Sequence, residues 1–209
     1  MTFSLILTGV LFILVCFNVG ESIYKKLKIR KSVLVLLLGL TLVAYFIPNF
    51  ILWGVSFSWV GFVLPLVFSF VTFFKIRHFK IFLRVFVGVL VAFVLSLVYN
   101  LISFEVYESV ILQPYIALGA ILGVVLLFVV QTPSRAYASI FVGACLADVV
   151  FYFSRYAGYA GYNLTLGSEK IFCVLMTSFV VSLVAYYFVR KVKTIEIRHR
   201  LKKAERKKI

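Results

Sequence analysis

Acidic residues are scarce in this chain. Seven Asp and Glu stand against 22 Lys and Arg in 209 residues, a formal net charge of +15. Histidine occurs twice and cysteine three times. These shortages remove most of the groups from which active sites are built. Metal ligation needs clustered His, Cys or carboxylate side chains. Here His78 and His199 lie in separate basic segments, and Cys16, Cys145 and Cys173 sit singly inside apolar runs, with no CxxC spacing. The thiols read as small core hydrophobes and give no sign of a disulfide framework. The sequence contains no GxSxG, HExxH or Gly-Lys-Ser/Thr phosphate loop. The expectation is therefore no catalytic residue, no cofactor and no metal.

Apolar side chains are what the chain has in excess. Hydrophobic residues make up 64%, charged residues 14%, and the mean hydropathy is +1.11. A soluble domain carries about half apolar and about a quarter charged residues. A chain of this length cannot hide so much apolar surface from water, so lipid is the expected solvent. A helix needs roughly 20 apolar residues to cross the hydrocarbon, and seven candidates occur, at about 2–20, 32–52, 55–74, 81–104, 110–130, 137–155 and 171–189. The second and third share one long apolar run whose breakers are Pro48, Asn49 and Gly54, with Pro48-Asn49 as the turn. The first lacks a basic leader and a small-residue cleavage site, so it reads as a retained helix rather than a signal peptide. The fold class expected is all-α: a polytopic bundle of seven transmembrane helices over residues 1–189, followed by a basic tail at 190–209.

Positive charge follows this plan. Lys and Arg cluster at Lys25–Lys31 (five), Lys75–Arg84 (four) and Arg190–Lys208 (ten), with Arg135 alone, which accounts for 20 of the 22. The alternate connections hold only Arg155 and Lys170, together with Glu105, Glu108 and Glu169. Cytoplasmic loops retain positive charge, so the N-terminus is expected outside and the C-terminus in the cytoplasm. An odd number of crossings agrees. The location of the charge, flanking apolar spans and free of interleaved aromatics in the tail, argues against a nucleic-acid partner. Anionic lipid is the partner expected at the tail, where each basic residue contributes on the order of 1 kcal/mol.

Ionisable groups within a membrane span are functional candidates by default. Asp148 is the one acid placed so, and Arg155 follows two helical turns later on the same face. Tyr99 and Asn100 close the fourth span, with Ser96 one turn below, Glu105 and Glu108 beyond, and Gln113 and Tyr115 opening the fifth. Asn100, Glu105, Asp148 and Arg155, with Tyr156, Tyr159 and Tyr162, could line one outward polar pocket. The plainer alternative makes Asp148 interhelical glue and the tyrosines, with Trp53 and Trp59, interfacial anchors. Gly119-xxx-Gly123 and Gly143-xxx-Ala147 read as small-residue ridges for internal helix packing. Pro65 is expected to kink the third helix in mid-span. Asn163-Leu164-Thr165 is a glycosylation sequon that matters only in a eukaryotic host.

Three stretches carry a resemblance. These are Tyr99-Asn100-Leu101-Ile102-x-Phe104-Glu105, then Val130-Gln131 followed by Arg135, then Val142-Gly143-Ala144-Cys145-Leu146-Ala147-Asp148 with Phe151-Tyr152-Phe153. In them the chain resembles the YphA-like family, uncharacterised multipass membrane proteins of spore-forming Gram-positive bacteria. The resemblance implies a bacterial plasma-membrane protein in an envelope or spore setting and supplies no mechanism. Function is expected to be non-enzymatic, through protein or lipid contacts. The rival is a small-solute permease, or the substrate-binding membrane subunit of a transporter.

Overall fold

The computed structural model describes residues 3–18, 31–52, 55–106, 114–155 and 164–205. Among them lie seven α-helices: α1 Phe3–Cys16, α2 Lys31–Ala44, α3 Leu64–Phe74, α4 Phe79–Val106, α5 Pro114–Val130, α6 Pro133–Arg155 and α7 Glu169–Glu205. Each expected span overlaps one of them, α7 running on from the seventh span into the basic tail as far as Glu205, and the chain is mostly helical. The reason is local. In long apolar runs few polar side chains compete for backbone groups, so the helix satisfies them internally.

Chain reversals fall where side chains permit them. Asn18 ends α1 with φ 62° and Gln131 ends α5 with φ 66°, both left-handed terminal conformations. The Gln131 N–H donates to the Leu127 carbonyl at 2.8 Å. Pro133 then opens α6, a position where its missing N–H costs nothing.

The region between α2 and α3 departs from the expected pattern. The run at 32–52 is not one helix: α2 stops at Ala44, and Phe50–Leu52 forms strand β1. Strand β2, Val55–Phe57, pairs with it antiparallel, and β3, Thr165–Leu166, pairs parallel with β2. Ser58 then caps a single π-helical turn, Trp59–Val63, which runs into α3. Its side chain accepts a hydrogen bond from the Gly61 N–H at 3.3 Å. Pro65 stands in the first turn of α3 rather than in mid-span. A wide turn thus stands just before the proline, and the lost donor falls at its junction with α3. Gly54, the other expected breaker, lies outside the described residues.

Four helices form the main core, built on Ala92, Leu122, Leu126, Ile140, Phe141 and Leu175. Within it, alternate helices run in the same direction. On α4 and α6, Ser139 Oγ donates to the Val85 carbonyl at 3.3 Å, and further along Gly143 lies against Ala92. A Cβ on Gly143 would stand 2.6 Å from the Ala92 Cβ and 2.7 Å from the Phe93 nitrogen. On α5 and α7, a Cβ on Gly119 would meet the Val174 carbonyl oxygen at 2.8 Å, and one on Gly123 the Ser178 oxygen at 2.7 Å. The small-residue ridges are therefore seams inside the bundle. A second core joins the first half of the chain to α7: Val15, Leu38, Ala44 and Val60 pack with Phe172 and Met176.

Lengths correct the expectation of seven full crossings. Among the described residues, three helices are long and apolar enough to cross a membrane: Phe79–Ile102, Pro133–Ser154 and Glu169–Val189. The apolar helices Leu5–Cys16, Leu34–Ala44, Trp59–Phe74 and Tyr115–Val130 are shorter. At 1.5 Å per residue, α1 and α2, with 14 residues each, reach about 21 Å, against roughly 30 Å of hydrocarbon. On α4 the outward face is a continuous apolar stripe, Phe79, Phe82, Phe86, Leu90, Val94 and Val98, all exposed. That spacing of three and four residues is a helix face made for an apolar solvent.

These seams predict a contrast. Gly143→Ala forces backbone apart and should destabilise the protein by about 1–3 kcal/mol. Gly9 has nothing within 4 Å of its would-be Cβ, so Gly9→Ala should be neutral or stabilise by up to about 1 kcal/mol. Unfolding of the purified variants in detergent checks both.

Candidate functional site

The parallel run of α4 beside α6 decides where the polar residues meet. From the Gly143–Ala92 contact, about two turns along α4 bring Asn100 level with Asp148 on α6. There the Asn100 Nδ2 donates to Asp148 Oδ1 at 3.1 Å. Both residues are half-buried. Ser96, one turn below Asn100 on the same face, is only 3% exposed, and its Oγ has no hydrogen-bond partner among the described residues.

The helices α5 and α7 bring further groups to this end of the bundle. Tyr115 is the second residue of α5, and Lys170 the second of α7. Their parallel packing sets the Lys170 Nζ 5.4 Å from the centroid of the Tyr115 ring, a cation–π contact. Tyr115 in turn meets Tyr99 of α4 edge-on, with centroids 6.0 Å apart. Lys170 is exposed, beside Glu169 at the start of α7. Four helices thus deliver a carboxylate, an amide, an ammonium and two phenol rings to one end of the fold.

Of the four residues expected to form a polar pocket, two are brought together: Asn100 and Asp148. Glu105 lies in the last turn of α4 and Arg155 is the last residue of α6; their side chains fall outside the described set. So do Gln113, Tyr156, Tyr159 and Tyr162 in full. Lys170 is the member that sequence reasoning missed, because it was counted only as a loop charge. The usable signal was its place immediately before an apolar run, at the same end as Asp148. Trp59 is half-buried beside the second core, its ring 5.3 Å from that of Phe50, and Trp53 lies outside the described residues.

The opposite end of the bundle is simpler. Arg84 at the start of α4 donates to the Gln131 side-chain oxygen at 2.9 Å, and the Lys31 Nζ donates to the Cys16 carbonyl at 3.1 Å. Both contacts are exposed and join neighbouring helices across a turn. The hydrogen bond of Asp148 goes to an amide, and among the described residues it meets no second titratable group at hydrogen-bond distance. No protein-family model, curated protein or solved structure matches this chain.

The Asn100–Asp148 bond should couple the two residues energetically. Asn100→Ala is expected to cost about 1–2 kcal/mol, since a half-buried carboxylate loses its donor. A double-mutant cycle with Asp148→Asn should give a coupling of about 1 kcal/mol in unfolding titrations of the detergent-solubilised protein.

Proposed function

We propose that this chain is an integral protein of a bacterial plasma membrane, non-enzymatic, acting through contacts with protein and lipid in an envelope or spore setting. In this reading all seven helices lie in the bilayer, with the N-terminus outside and the tail at 190–209 in the cytoplasm. The observation that carries it is the use made of Asp148: the acid inside the apolar span α6 holds α4 through Asn100. That is the behaviour of interhelical glue rather than of a general acid or base, which needs a proton-transfer partner within reach.

Two further features support the membrane arrangement. The β2–β3 pairing and the Asn100–Asp148 bond tie alternate connections to a common end, as an up-and-down bundle requires. Arg84 and Gln131 meet at the other end, the one flanked by the Lys75–Arg84 cluster and Arg135. Helices shorter than the hydrocarbon are accommodated by local thinning of the bilayer and by snorkelling of flanking residues such as Lys31 and Lys75. Anionic lipid fits the tail, where ten basic residues stand against Glu196 and Glu205.

One observation favours a second reading, a small-solute permease or the binding subunit of a transporter. Asn100, Asp148, Lys170 and Tyr115, which come from four different helices, gather at one end. The two readings separate on Asp148→Asn in the native host. Loss of folded protein is expected if Asp148 is glue, whereas normal yield with a lost phenotype would favour the permease. Reporters fused after Ile209 and inserted between Arg155 and Leu164 should report opposite faces of the membrane, cytoplasmic for the first. An external signal after Ile209 would overturn the arrangement.

A further inference from the structure

We propose that strand β1 is an interface for a second copy of this chain, the two β1 edges pairing antiparallel around Ile51 to join two three-stranded sheets into one. The inference goes beyond the reading above and does not depend on which way the chain faces in the membrane.

The hydrogen bonds of the sheet show which edge is open. Opposed residues of an antiparallel pair turn their backbone groups either toward each other or both away. Ser56, opposite Ile51, donates its N–H to the Leu164 carbonyl at 2.9 Å, on the β3 side. Ile51 therefore turns its own N–H and C=O away from β2. The strand order β1-β2-β3 leaves no further strand on that side among the described residues. The Ile51 side chain is 71% exposed, and Phe46, Ile47, Phe50 and Leu52 near it are exposed as well. The edge is held in shape. The Phe50 ring stacks on that of Phe57 at 5.2 Å and meets Trp59 at 5.3 Å.

Unpaired backbone and bare apolar side chains together select the occupant. Lipid covers the side chains but offers no hydrogen bond to the N–H and C=O. Water satisfies the backbone and leaves the apolar surface exposed. A further extended apolar segment does both, by adding a strand to the sheet. Edges that stay single are guarded by charge, above all lysine. Here no charged residue occurs between Lys31 and Lys75. Pro48, just ahead of the strand, limits its length without blocking it. A second copy brings an edge that matches itself. Across a two-fold axis at Ile51, each Ile51 N–H donates to the other Ile51 carbonyl, and Phe50 of one copy faces Leu52 of the other. Three residues make a short ladder, so the association is weak and depends on concentration.

The test uses the full chain in native membranes and in non-ionic detergent. In a background of Cys16→Ser, Cys145→Ala and Cys173→Ala, a single Ile51→Cys is oxidised with copper phenanthroline. A hydrogen-bonded antiparallel pair holds its Cα atoms about 5.5 Å apart, within reach of a disulfide. We expect a cross-linked dimer with Ile51→Cys and none with Phe86→Cys, which is exposed on the outer stripe of α4. Sedimentation of the wild type should show a monomer–dimer equilibrium. Ile51→Pro removes an N–H that the sheet itself does not use, so it should weaken dimerisation at least about tenfold with thermal unfolding unchanged. Ile51→Val should pair as the wild type does. If Ile51→Pro does not fold, the contrast between Ile51→Cys and Phe86→Cys decides. The proposal is overturned if Ile51→Cys gives no self-cross-link, if it couples to a different protein instead, or if folded Ile51→Pro dimerises as the wild type does. Those failures leave the membrane reading standing. An external signal after Ile209 would sink that reading and leave the strand edge as it is.

Discussion

Everything in the main core depends on how closely two pairs of helices approach. At Gly143 the backbone of α6 comes near enough to α4 that a single methyl group would collide with Ala92 and the Phe93 nitrogen. At Gly119 and Gly123, α5 stands against the α7 backbone in the same way. Small residues at such seams let two helix backbones approach closely enough for extensive van der Waals contact. The contact also sets relative depth. Once Gly143 is seated on Ala92, Asn100 and Asp148 must arrive at one level, and Tyr115 and Lys170 follow from the partner seam. The polar end is thus a consequence of small residues buried well below it.

That dependence explains what was legible in the sequence. Seven helices could be read from seven apolar runs, and the Gly-xxx-small ridges could be read as internal packing, because both signals are local. Asp148 stood out as an acid among apolar neighbours, and Asn100 as an amide at the end of another run. The partnership between them was one of several open options, since it is set by contact between helices nearly fifty residues apart. The strands were not legible at all. Phe50–Leu52 and Val55–Phe57 are three residues each, too short to display alternation. They sit in an apolar run that fits a helix equally well, and what makes them strands is their pairing with each other and that of Val55–Phe57 with Thr165–Leu166, more than a hundred residues on. Lys170 was overlooked for a related reason. A lysine beside a span reads as a flank marker until a tyrosine from another helix is found under it.

Helix length marks the remaining gap between pattern and structure. Apolar content alone makes Leu34 to Leu52 look like one crossing. The helix ends at Ala44 because the following residues turn away and enter the sheet. Likewise Ser58, the π turn and Pro65 together set where α3 begins. Hydropathy reports the solvent a segment prefers. It does not report whether the backbone hydrogen bonds of that segment close within a helix or across a ladder.

The small sheet and the second core both join the opening third of the chain to its final helix. Val15, Leu38 and Val60 find part of their packing in Phe172 and Met176, and Gly61 fits against Gly167, whose φ of 71° only glycine adopts freely. During biosynthesis, then, α1 to α3 emerge well before the surface that completes them. Their packing stays incomplete until translation has passed residue 176. A nascent chain that stalls before α7 is made therefore lacks the surface on which its opening helices pack.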